Sequence, residues 1–379
     1  MSMSLAPPGP RFDGFQFGAF AMEASSVAER RRAAMRTETV LKGDRVILDA
    51  TRNRRKKLLK QFQVCLWSER GVSLKFLLQE KPPDPEKISE WLAAFGRELF
   101  RTGKAYGIFA ETINAVSAAR PAIRKQLTLA WDYAFSWVAD EPFHHRPAMP
   151  ASVLLAILAV ALFWGWVEEA AIFGMAWAGL LRIGEALQAL RSDLVLPEDA
   201  APGMTYALLR IREPKTRGRH AKHQAARIDP ADIVQLLQIA FSKKSREQKL
   251  WPLSASTLRK RLADLLKAIK LPTEGSGSQH FDLSSLRPGG ASWLLSCCED
   301  SEMVRRRGRW ATTRTMEIYL QEVQYVTFVE RLPAATKEVI HTCAAGFPDL
   351  LKKVQFFTDA AIPSSTWFTL LRDRRSFGT

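Results

Sequence analysis

Cysteine is scarce in this chain, with four residues in 379 (Cys65, Cys297, Cys298 and Cys343) and no CxxC pair. That excludes a thiolate zinc cluster or a disulfide framework as the organising device and suits a reducing intracellular setting. Acidic residues are also short, 39 Asp and Glu against 55 Lys and Arg, for a formal charge of +16. Such an excess points to a polyanionic partner, nucleic acid first and an acidic membrane surface second. Only one long apolar run exists, "ASVLLAILAVALFWGWV" at 151–167, uncharged for 17 positions. It is close to the lower limit for a membrane span. Glu168 and Glu169 follow at once and Gly165 interrupts it, so a core helix at a domain start is expected. The first residues, "MSMSLAPPGPRFDGF", lack the basic segment and apolar stretch of a secretory signal. No internal repeat is present.

What is there reads as globular, 47% hydrophobic and long enough for two or three domains. Residues 1–20, rich in Pro, Gly and Phe, read as a flexible tail. A basic helical segment follows over 21–80, carrying "ERRR" at 29–32 and "RNRRKK" at 52–57, with Arg54 and Arg55. Its charge is either a solvated helix face or a DNA-backbone contact. "EKPPDPEK" at 80–87 is a linker signature, because proline cannot continue a helix. A helical domain is then expected over 81–147. It ends at "FHHRPAMP", where adjacent His144 and His145 face different ways and make a poor metal site.

The next domain runs over 148–330. Its helical start is followed by two predicted strands within 205–229, joined by a turn around Gly218 and holding seven basic residues against one acid over 205–228. Helices are expected at 230–241 and 254–271, the second with a Leu258, Leu262, Leu265, Leu266, Ile269 stripe. Another begins in "LSSLRPGGASWLL", and two short ones divide near Trp310 to Thr313. The last segment, 331–379, is a C-terminal extension that packs in cis or docks on a neighbouring protomer.

Three separated pieces stand out: Arg182 in "LLRIGEAL", Arg287 in "SSLRPGGASWLL", and "GRWATTRTMEIY" with Trp310 and, nine residues on, Tyr319. In this order, with a basic hairpin between them, they resemble the tyrosine recombinase (phage integrase) family, its retroelement-encoded members included. The family has an arginine in an L-R-x-x-E segment, a lysine on a β-hairpin, an H-x-x-R segment, a G-H or G-W, and a tyrosine nucleophile. The resemblance covers roughly 150–325. It implies a mainly α fold with a small β-hairpin or sheet (α+β): a helical DNA-core-binding-like domain followed by a tyrosine-recombinase-like catalytic domain.

The residue types suit phosphoryl transfer on physical grounds. Guanidinium groups are planar and permanently charged, so Arg182 and Arg287 can clamp the non-bridging oxygens of one phosphodiester. Glu185 orients the segment around Arg182 or is plain helix surface. The resemblance makes Lys215 the donor of a proton to the leaving 5′ oxygen, with Lys222 its rival. Trp310 can donate its indole N–H to a phosphate oxygen. Tyr319 is the expected nucleophile, ahead of Tyr325, in a chain with only five tyrosines. Such a reaction needs neither metal nor other cofactor, and no small-molecule substrate, because the phosphotyrosyl bond conserves the ester's energy. Arg212, Arg217, Arg219, Lys222, Arg259, Lys260, Arg54 and Arg55 are the expected DNA contacts.

Ser284 departs from the pattern, standing where most relatives have histidine. A hydroxyl cannot take up a proton near neutral pH as imidazole does, although His280, four residues earlier, can substitute in space. Three functions follow: a DNA breaking-and-rejoining recombinase or integrase of mobile-element origin, oligomeric on duplex DNA; a non-catalytic DNA-binding protein that keeps the fold; or, from 151–167 alone, a membrane protein. The first two place the chain inside the cell, in the nucleus of a eukaryote. The charge predicts DNA affinity that falls steeply with salt, each neutralised phosphate adding about 0.9 to the log–log slope. A titration of duplex binding against KCl should give a slope steeper than about 2; a shallower one would rule out an extended DNA surface.

Overall fold

The computed structural model describes residues 26–36, 47, 49–142, 146–200, 202–212, 224–273 and 280–372. The described chain divides into two compact units, one ending at Pro142 and one beginning at Phe143.

The first unit is entirely helical among the described residues: α1 (Val27–Arg36), α2 (Asp49–Arg70), α3 (Leu74–Gln79), α4 (Pro85–Arg101), α5 (Tyr106–Ala119) and α6 (Thr128–Asp140). Its core joins Phe62 and Leu66 of α2 to Leu92 and Phe95 of α4, Phe109 and Ile113 of α5, and Trp137 of α6. The proline-rich stretch at 80–87 lies inside this unit and opens α4. Pro85 takes the first helical position, where its missing N–H costs nothing, and the Asp84 carboxylate accepts the Lys87 N–H at 3.0 Å. Arg55 donates from Nε to Glu111 at 2.6 Å, a half-buried tie between α2 and α5.

In the second unit, α7 (Ala151–Phe163) is the apolar run of the sequence. Helices that are apolar all round belong in the middle of a core. Around α7 lie α8 (Val167–Ala178), α11 (Ala255–Ala268), α12 (Leu286–Cys298), α16 (Ala334–Asp359) and α17 (Ser364–Arg372). The intervening helices are α9 (Ile183–Gln188), α10 (Ala231–Phe241), α13 (Ser301–Gly308), α14 (Thr313–Glu317) and α15 (Glu322–Thr327). At 13 residues α7 is short for a bilayer, and no helix among the described residues is long and apolar enough to cross one. The C-terminal extension takes the cis alternative: Ile340, Phe347, Leu351, Val354 and Phe357 of α16 are buried in the same core.

The two predicted strands are β2 (Ala207–Ile211) and β3 (Gln224–Ile228), antiparallel with Ala207 opposite Ile228 and Ile211 opposite Gln224. The turn around Gly218 lies outside the described residues. A third strand, β1 (Leu194–Val195), pairs antiparallel with β2. Two residues are too few to show alternation in a sequence, so only tertiary pairing reveals it. The fold class is mainly α with a small antiparallel sheet.

The glycines of "RPGG" let α12 press against α8. A Cβ on Gly290 would collide with the Trp177 carbonyl oxygen, and one on Gly289 with the Met149 carbonyl oxygen. Trp177 itself donates its indole N–H to that Met149 oxygen at 2.9 Å. Gly290→Ala should therefore destabilise the chain by about 1–3 kcal/mol, the usual range for overpacking. Gly346→Ala, on α16 with no atom near the new methyl, should stabilise it by up to about 1 kcal/mol through helix propensity. Urea denaturation of the two variants beside wild type checks both signs.

Candidate phosphodiester site

The leucine-rich segment 180–194 is not one helix. After α8 ends at Ala178 the chain turns through Leu180, at φ +47°, and Arg182 caps α9. The Glu185 carboxylate accepts the backbone N–H of Arg182 at 3.0 Å and its Nη1 at 2.9 Å. Glu185 also takes a third bond, from Nη2 of Arg309 at 2.5 Å, and both these side chains are 7% exposed. One carboxylate thus ties the start of α9 to the end of α13.

Arg287 enters from the second position of α12 and is 4% exposed. Its Nη2 donates to the Gly308 carbonyl oxygen at 2.5 Å. Its guanidinium carbon lies 4.6 Å from the Trp310 ring centre and 5.4 Å from that of Tyr319, cation–π geometry on two rings. The two rings are themselves 5.2 Å apart. Gly308 is required here because Trp310 folds back over it, into the space a Cβ would fill. Arg309 follows at φ +58°, a left-handed helix end. Thr312 accepts the Thr315 N–H and starts α14, which delivers Tyr319 in the turn behind it.

Five donors on these neighbouring residues are unused among the described residues. Nε and Nη1 of Arg287, Nε and Nη1 of Arg309, and Nε1 of Trp310 are buried with no hydrogen-bond partner among the described residues. Buried polar groups are nearly always paired, and an unpaired buried cation is costly. Desolvation, with the neighbouring charges of Arg182 and Arg309, pulls the Arg287 pKa down to about 9, so it is still a cation at neutral pH. Burial lowers that of Arg309 too. Three guanidinium groups lie near one carboxylate that bonds only two of them, Arg182 and Arg309, and what the arrangement accepts chemically is an oxyanion.

Of the expected residues, Arg182, Glu185, Arg287, Trp310 and Tyr319 come together. Ser284 does not join them by any hydrogen bond among the described residues. It is exposed in the 3-10 turn at Leu283–Ser285. His280 stands 3.1 Å from Arg146 through Nδ1. Tyr325 accepts the Ala151 N–H at 3.3 Å, and burial pushes its phenol up. Lys215, Arg217, Arg219 and Lys222 lie outside the described residues.

Among the expected DNA contacts, Lys260 is exposed, Arg54 donates to the Gly107 carbonyl at 3.4 Å, and Arg259 pairs with Asp282 at 3.0 Å. Arg212 is held at 2.6 Å by Asp193, as Arg210 is at 2.9 Å. Asp193 and Arg309 are the residues that sequence reading missed. Arg309 carried a signal, an arginine directly before Trp310 where the resemblance has glycine. Asp193 carried none.

These helices and the small antiparallel sheet form the fold of the tyrosine recombinases. A structure of the Tn1549 transposon integrase in complex with transposon right end DNA matches with 11% identity and a TM-score of 0.50, over 76% of this chain and 93% of that one. A lambda integrase dimer bound to a COC′ core site matches with 16% identity and a TM-score of 0.44, over 78% and 87% of the two chains. The XerH recombinase bound to difH substrate gives 16% and 0.40, over 74% and 77%. No protein-family model matches the chain, and no curated protein matches it in sequence.

Asp193 is 1% exposed at the base of the sheet. Burial alone would raise its pKa, but hydrogen bonds from Arg212, the Leu190 N–H and Arg210 outweigh that and lower it. Its contribution to stability is therefore present above the unfolded carboxylate pKa and lost as pH falls through the lower folded value. Asp193→Asn should cost about 1–3 kcal/mol at pH 7. In urea melts from pH 7 to pH 2, its gap from wild type should narrow below the ordinary carboxylate range; a constant gap would refute the assignment.

Proposed function

We propose that the chain is a DNA strand-breaking and rejoining enzyme, a site-specific recombinase or integrase working through a 3′-phosphotyrosyl intermediate. The observation that carries this reading is the set of five buried N–H donors on Arg287, Arg309 and Trp310 without a hydrogen-bond partner among the described residues, with Arg287 and Trp310 against the Tyr319 ring. The fold shared with the Tn1549 integrase supports the same substrate class, duplex DNA.

In this reading the Tyr319 oxygen attacks the scissile phosphorus and its proton leaves to solvent. Arg182 and Arg287 hold the two non-bridging oxygens as charge grows there. Preorganised donors of this kind are usually the largest catalytic term. The bond to the 5′ oxygen breaks, and Lys215 protonates that oxygen as it leaves. Rejoining runs the same steps backwards from a new 5′ hydroxyl, with no cofactor. The enzyme acts inside the cell, as a homo-oligomer on DNA, since exchange needs more than one cut strand.

One observation favours a second reading, a DNA-binding protein without catalysis. No imidazole joins the cluster by a hydrogen bond among the described residues, and Ser284 is turned to the surface. Incubation with nicked duplexes of randomised sequence, denaturation and recovery of protein-linked DNA decides between the two. Wild type should retain DNA covalently and Tyr319→Phe should retain none, while binding the undenatured pool as tightly. Arg287→Ala should lower the yield at least about 100-fold. Binding without any adduct would establish the second reading, and an adduct that survives Tyr319→Phe but not Tyr325→Phe would move the nucleophile.

A further inference from the structure

Arg309 is more than the cluster's recognised parts require. Its Nη2 alone serves structure, bonding the Glu185 carboxylate and, at 3.4 Å, the Leu180 carbonyl oxygen. A lysine could make the same tie. The side chain nevertheless buries a second edge, Nε and Nη1, with no partner among the described residues. The residue beside it, Trp310, stacks on Arg287, and its own N–H has no partner among the described residues. Arg309 and Arg182 approach Glu185 from opposite oxygens, so the fork of Arg309 is fixed in place before any ligand arrives.

We propose that Arg309 is a third guanidinium ligand of the scissile phosphate, donating from Nε and Nη1. The inference rests on reading the cluster as a phosphodiester site. In it, Glu185 is a positioning residue that holds Arg182 and Arg309 apart and aims both. Three cations then meet the two negative charges of the transition state together with one internal carboxylate, so the cluster is near neutral when occupied. A two-arginine clamp with the same Glu185 would fall short by one charge. Arg309 moves no proton; it contributes charge and two fixed hydrogen bonds.

The probe is inorganic sulfate, a tetrahedral dianion, added to the full chain against chloride of equal ionic strength. Saturable binding is read from the rise in Tm. Arg309→Lys keeps the tie to Glu185 and should melt close to wild type without sulfate, yet bind sulfate about ten-fold or more weakly, the usual effect of losing charge-assisted bonds. Wild-type affinity in Arg309→Lys, with loss in Arg287→Lys, would make Arg309 a strut and leave the proposed function standing. No saturable sulfate effect in wild type would overturn the assignment of Arg309, while covalent capture on nicked DNA judges the function separately. Should Arg309→Lys fail to fold, wild type with ¹⁵N-labelled arginine decides. Sulfate should shift three Nε–H signals, two of them assigned through Arg182→Lys and Arg287→Lys; shifts confined to those two would exclude Arg309.

Discussion

The second unit's site hangs on one buried carboxylate. Glu185 has little access to water and accepts bonds from the Arg182 backbone, the Arg182 side chain and Arg309. Without it, two guanidinium groups would face each other across a desolvated gap beside a third. Such groups repel, and burial already lowers the pKa values of Arg287 and Arg309. A single carboxylate between two of them makes the cluster tolerable while leaving positive charge over. That remainder is what an anionic ligand would meet, and stability and binding are therefore opposed in the same few side chains.

The scaffold exists to make this crowding possible. Gly289 and Gly290 bring α12 close enough to α8 that Arg287 sits at its N-terminal end, inside the protein rather than on it. Gly308 clears room for the Trp310 ring, which covers the guanidinium of Arg287 and meets Tyr319. Asp193 performs a comparable task at the sheet, gathering Arg210 and Arg212 from β2 and the residue beyond it. Arg212 thus has an internal partner while remaining partly exposed, so a DNA contact there would compete with Asp193 rather than fill an empty place. Arg55 is similar, held by Glu111 inside the first unit. Basic residues in a +16 chain are not all waiting for phosphate.

Much of this was legible in the residues themselves. Period and composition determined that the chain is mainly helical: the Leu258 to Ile269 stripe is buried along and just past α11, and the uncharged run is the core helix α7. The order and spacing of Arg182, Arg287, Trp310 and Tyr319 along the chain marked the cluster. What the sequence could not express is pairing across long separations. Glu185 and Arg309 are 124 positions apart, and α16 returns to α7 after the 170 residues 164–333. The role of Glu185 was undecidable from an R-x-x-E alone, since surface helices carry that pair routinely. Only tertiary structure brought a second arginine to it, turned Ser284 outward and left five donors of the cluster buried without partners among the described residues. Local periodicity reports which face of an element is apolar; which charges share one desolvated volume is a property of the packed chain.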